Sequence, residues 1–172
     1  MADKRKAFTV HGPFKVPVEP NKHGKMVAKD LTAFWSGVGD IGTRRGVYVF
    51  GIRAGKGITP IYVGKTAKQS FEKEVFMAHK RADHYNPALL DYRRGTPVMF
   101  FVAHPTGKGA VNNTLIDKIE SFLIDVASTK NPGLSNVRKK PDHKWRIRGV
   151  VRSKAGEATR ATGGFKKAVG LV

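Results

Sequence analysis

The chain predicts an α+β fold on three observations. Residues 46–52 and 61–63 are short segments rich in β-branched and aromatic residues, residues 97–103 form an uninterrupted apolar run, and from Asn113 onward apolar residues recur at helical spacing. The 172 residues suit one core with short extensions. In chain order, residues 1–43 are rich in Pro, Gly and Lys and predict an irregular N-terminal arm that packs Phe34 and Trp35 onto the main domain. One alternating piece, Phe14 to Val18, lies within it. Residues 46–52 and 61–63 then read as two antiparallel strands joined across the glycine-rich turn 54–57. Ser70 is a plausible N-cap for a helix with Phe71, Val75, Phe76, His79 and Ala82 on one side, ended near Asn86-Pro87. The apolar run 97–103, bounded by Gly95 and Pro105, suits a third and more buried strand. A second helix starts at Asn113-Thr114, with Leu115, Ile116, Ile119, Phe122, Leu123, Val126 and Ala127 on its apolar side, and stops before Asn131-Pro-Gly133. Beyond Asn136 a basic segment with alternating apolar residues, 144–152, reads as a strand or extended arm, and the small, polar residues 153–164 read as flexible.

Composition limits the function. At 40% hydrophobic and 26% charged residues the chain is neither a disordered tail nor a membrane protein, and its longest apolar run is far short of the roughly 20 residues of a spanning helix. The charged N-terminus lacks the apolar stretch of a secretory signal, so a soluble, cytoplasmic protein is expected. The absence of cysteine excludes disulfide scaffolds, thiol nucleophiles and cysteine-held zinc. A net charge of +19 calls for a polyanionic partner. The excess concentrates in residues 138–172, where eleven Lys and Arg face two acids. Arg138, Lys139, Lys140, Lys144, Trp145, Arg146, Arg148 and Arg152 are therefore expected to grip nucleic acid as a sequence-independent anchor. The competing reading is a solvated tail kept for solubility.

Two features carry chemistry. Glu120 borders the apolar face of the second helix while Asp117 and Asp125 point well away, and a carboxylate there needs either a salt bridge to Lys or Arg or a bound metal. Tyr48 and Tyr62 stand on neighbouring strands with thirteen residues between them, each near a glycine. Tyrosines in strands are ordinarily good β-formers with a satisfied hydroxyl. The ordered set Gly46-Val47-Tyr48, Tyr62-Val63-Gly64-Lys65-Thr66, a helix, a second helix with Glu120 at its edge, and then Asn136 resembles the GIY-YIG nuclease superfamily across residues 44–137.

That resemblance implies a three-stranded antiparallel sheet flanked by helices, with the irregular arm before it and the basic extension after it. It implies a metal-dependent endonuclease hydrolysing phosphodiester bonds, of DNA in preference to RNA, with no small-molecule cofactor beyond the ion. Glu120 would be the sole protein ligand of Mg2+ (or Mn2+). Tyr48 would be the general base, its phenolic pKa lowered by nearby cations, and Tyr62 would position water or phosphate. Lys65 would stabilise the phosphorane charge, and Asn136 would support the end of the active-site helix and the strand arrangement. The chain departs from the family twice. The spacer between the triplets is longer than usual, which a longer hairpin loop absorbs. The family's arginine after the second triplet is missing: Lys73 is the nearest substitute, or Lys80 or Arg81 reaches back to the cleft, although lysine does not reproduce a bidentate guanidinium. His79, His84 and His104 lack metal-ligand spacing, and the glycines before Lys65-Thr66 do not meet the spacing of a nucleotide-phosphate loop. The alternatives are a catalytically inactive nucleic-acid-binding module of the same fold and a small basic structural protein of a nucleoprotein particle.

Overall fold

The computed structural model describes residues 7–66, 68–105, 110–136, 147–151 and 153–171. They belong to two compact units, Met1–Lys140 and Pro141–Val172. Among the described residues no helix is long and apolar enough to cross a membrane.

The first unit is α+β, built on an antiparallel sheet of four strands rather than three. β4 (Gly46–Ala54), β5 (Gly57–Thr66) and β6 (Thr96–Ala103) are the expected strands. The fourth, β1 (Thr9–Lys15), comes from the N-terminal arm and pairs with β6, giving the order β1-β6-β4-β5. The arm also supplies a hairpin, β2 (Val18–Asn21) and β3 (Gly24–Val27), and the helix α1 (Thr32–Val38) that carries Phe34 and Trp35. Its composition concealed this regularity because strand pairing with β6, not local propensity, orders β1. Val16, directly after β1, is completely buried.

The longer spacer between the tyrosines lies in the strands, not in the turn. Ala54 pairs with Gly57 across a two-residue turn, and a bulge at Ile61 takes up an extra residue, since Phe50 opposes Tyr62 while Gly51 opposes Pro60. Consecutive Ile61 and Tyr62 consequently both pack against the same core cluster.

Alternation sends Tyr48, Phe50 and Ile52 of β4 to one core cluster and Val47 and Val49 to another, on opposite faces of the sheet. The first face is covered by the arm and by the segment after β5. That segment is not one helix. It breaks into α2 (Phe71–Glu74), α3 (Ala78–Lys80), a wide helical turn (Arg81–Tyr85) and α4 (Asn86–Asp91). Met77, with ψ at 149°, interrupts the chain and shifts the helical phase, so His79 and Ala82 are exposed and Lys80 is buried in their place. Asn86-Pro87 opens α4 instead of ending a helix, because proline in a first turn gives up no needed hydrogen bond.

The second face is covered by α5 (Asn113–Lys130), capped by the Asn112 side chain. Its buried residues are Ile116, Glu120, Ile124 and Ser128. Phe122 and Val126 are exposed, so the packed strip is narrower than the apolar periodicity and has Glu120 at its centre rather than its margin.

In the second unit Ile147 bridges Val151, and Glu157 organises the next turn by accepting from Lys154 N (2.9 Å) and Ser153 Oγ (3.0 Å). Thr159 and Thr162 then form a reciprocal cap for α6 (Arg160–Ala168), so part of the stretch expected to be flexible is helical.

Candidate active site

Two glycines of the paired motifs have steric reasons. Gly64 faces Tyr48 across the β4–β5 ladder, and a Cβ there would lie 2.3 Å from the tyrosine ring and hydroxyl. Gly46 has φ of +156°, and a Cβ there would meet the Val102 carbonyl oxygen at 2.1 Å. The motif therefore opens the space in which Tyr48 lies, against Gly64 and wholly out of solvent.

At the Tyr48 hydroxyl sits a lysine. Lys80 Nζ donates to it (2.6 Å), approaches Glu74 Oε1 at 3.2 Å and lies 5.0 Å from the tyrosine ring centre. Lysine is rarely buried without partners, and at 5% exposure this one has two. Burial lowers the Lys80 pKa, against the carboxylate of Glu74. Burial also holds the Tyr48 hydroxyl well above its usual value of 10.0, and Tyr85, Tyr62 and Glu74 add to the shift. The resemblance calls for a lowered Tyr48 pKa; burial acts in the opposite direction.

Tyr62 lies beside this pair, its ring 6.1 Å from that of Tyr48 and stacked on His84 at 4.0 Å. Burial and then the charge of Glu120 raise its pKa. His84 Nδ1 shares a 2.5 Å hydrogen bond with Ser135 Oγ. Tyr85, also buried, donates to the Val75 carbonyl (2.8 Å).

Glu120 approaches from α5. Its Oε2 is 3.5 Å from Lys65 Nζ, which also pairs with Asp117. Asp117, one turn before Glu120, is off the buried strip as expected and half exposed, and it shares the same lysine. Asn136 clamps the outer edge of β5, receiving from Val63 N (2.9 Å) and donating to Val63 O (2.7 Å). Ser135 N donates to Ile61 O (2.7 Å) and the Asn131 side chain to Pro60 O (2.7 Å), so the segment after α5 occupies the edge that β5 would otherwise expose.

Tyr48, Tyr62, Lys65, Glu120 and Asn136 thus converge around β5. Lys73 does not join them; it is exposed on α2 and lines a groove with Arg45 and Lys68. Arg81 is tied to the carbonyls of Phe76 (2.8 Å) and Ala28 (3.0 Å). Of the two cations expected to reach back to the cleft, Lys80 lies at the tyrosine, in a place that depends on the break at Met77. Tyr85, Glu74 and the stacking role of His84 went unread, since each joins the site only through tertiary packing. Of the residues expected to hold nucleic acid, Arg138, Lys139, Lys140, Lys144, Trp145, Arg146 and Arg152 lie outside the described residues. Arg148 is within them, exposed and 3.8 Å from Glu157.

Among the described residues no group of three or more His, Asp or Glu is arranged to hold a metal. Asp117 and Glu120 share Lys65, and Glu74 faces Lys80, so each of these carboxylates is paired with a lysine; Glu120 is the one buried among them. No family model, curated protein or solved structure matches this chain.

Proposed function

We propose that this protein is a divalent-metal-dependent endonuclease of the GIY-YIG type, hydrolysing phosphodiester bonds of nucleic acid, DNA in preference to RNA. The observation that carries this reading is the pairing of Tyr48 with Tyr62, with Lys80 on the Tyr48 oxygen, beside the pairing of Lys65 with Glu120 of α5, whose charge acts on Tyr62. The four-stranded sheet is then the family's sheet with β1 added at its β6 edge.

In this reading Glu120 would hold Mg2+ or Mn2+, which would supply positive charge against the negative charge that develops on the phosphate. Tyr48 would pass its own proton to Lys80 in the neutral form that burial favours, and the phenolate, held by the resulting ammonium, would accept a proton from the attacking water. Tyr62 orients water or phosphate, and Lys65 turns from Asp117 toward the phosphate oxygens as their charge grows. Lys80 supplies at Tyr48 the cation that the missing arginine leaves vacant, and the basic residues between 138 and 152 hold the duplex.

The test is nicking of supercoiled plasmid with magnesium or manganese at low salt. Wild type should cut, and Tyr48→Phe and Glu120→Ala should each reduce the rate at least about 100-fold, the scale of a lost acid–base or electrostatic contribution. Binding without cutting in either metal would reject the enzyme. One observation favours that second reading, an inactive binding module: Tyr48 is completely buried with its hydroxyl held by Lys80.

A further inference from the structure

Two grooves open beside the site and share a wall. One is lined by Lys65, Lys68, Gln69, Glu74 and Met77, and so begins at the lysine that pairs with Glu120. The other is lined by Thr43, Arg45, Lys68, Gln69, Ser70, Glu72 and Lys73. Lys68 and Gln69 belong to both. We propose that this continuous track is a binding surface for a nucleic-acid strand, with Lys65, Lys68, Lys73 and Arg45 following successive phosphates away from the Tyr48–Glu120 cluster. The proposal deepens the function given above and rests on it for the strand's direction, but not for its binding.

Four cations line the path against Glu72 and Glu74, and Glu74 already faces Lys80 from beneath. Gln69 and Ser70 add neutral donors of the kind that meet phosphate oxygens. The backbone beneath is fixed: Gly46 N donates to Thr66 Oγ1 (3.0 Å), Phe71 N to Arg44 O (2.9 Å) and His104 N to Arg45 O (2.8 Å). Arg45, Thr66 and Phe71 are therefore held at one end of the sheet. Cations presented on an anchored frame lose less freedom on binding than cations on a loose arm. Arg93 and Arg94 are also exposed, but they precede the β6 end that pairs with Arg53, the opposite end of the sheet.

The test is titration of a labelled DNA duplex and single strand with the full chain, in EDTA, over a range of salt. Arg45→Ala/Lys68→Ala/Lys73→Ala should weaken binding at least about 10-fold at 0.1 M salt and reduce the slope of log K against log salt by about 0.7–0.9 for each phosphate contact removed. Lys68→Glu alone should give the largest single loss, because Lys68 borders both grooves. Arg93→Ala/Arg94→Ala should keep wild-type affinity and slope. Wild-type binding by the triple variant or by Lys68→Glu overturns the track, as does an equal loss in the Arg93/Arg94 pair. Because EDTA removes any cutting, a chain that binds through these residues but never nicks plasmid with magnesium rejects the enzyme and leaves the track standing.

Discussion

At the residue scale, the site turns on single atoms. Gly64→Ala places a methyl group into the Tyr48 ring, and either the ring or β5 must move. Urea denaturation should register a loss of about 1–3 kcal/mol, the usual scale of overpacking. Lys80 is also a matter of one atom. Removing one partner of a buried pair leaves Glu74 and the Tyr48 hydroxyl uncompensated, so Lys80→Met should cost about 3 kcal/mol by urea denaturation and lower the nicking rate. Lys80→Met combined with Glu74→Leu should recover stability while nicking stays low; recovery of both would make Lys80 structural only. Tyr48 and Tyr85 also set a pH dependence. Burial raises both pKa values well above 10.0, so the folded chain keeps two phenolic protons that the unfolded chain releases. The folded state then binds more protons, and its stability is intact below pH 10 and declines as pH rises beyond it. Lys80, with its pKa lowered, contributes a slope of the opposite sign. Denaturation at pH 9 and pH 11 should give a smaller decline for Tyr48→Phe than for wild type, and equal declines would refute the assignment.

At the element scale, β5 is an edge strand that does not behave as one. The segment after α5 pairs with it through Asn131, Ser135 and Asn136, which satisfies the outward groups of Pro60, Ile61 and Val63. Asn136→Ala removes two hydrogen bonds and strands the Val63 amide and carbonyl in a buried place. It should cost about 2 kcal/mol by urea denaturation and increase amide exchange at Val63. Asn136→Asp should recover only part, because a carboxylate accepts from Val63 N but cannot donate to Val63 O. The same element carries Tyr62, Gly64 and Lys65, so loosening its outer edge should also lower the nicking rate.

At the scale of the whole molecule, charge is unevenly divided. Residues 138–172 hold eleven of the 32 basic residues, and the compact unit they largely form begins at Pro141. Ending the chain after Lys140 leaves the first unit's core residues in place. Its thermal midpoint should change by no more than a few degrees, while affinity for DNA falls and the salt dependence flattens. Unchanged affinity would assign binding to the groove cations alone.

Much of this was legible in one dimension. The α+β class and the spans of β4, β6 and α5 follow from periodicity and composition, because those signals depend on neighbours within a few residues; Tyr48, Tyr62, Glu120 and Asn136 were singled out by an ordered motif, and periodicity put Glu120 at the margin of a strip whose centre it holds. Other features depend on partners far along the chain. β1 is a strand because β6 offers it an edge, and the hairpin bulge exists because β4 and β5 must keep register. The break at Met77 delivers Lys80 to a tyrosine 32 residues earlier. The protonation of Tyr48 was likewise decided only in three dimensions: the sequence placed cations near it, but desolvation depends on everything packed around a group and so is written in the tertiary structure alone.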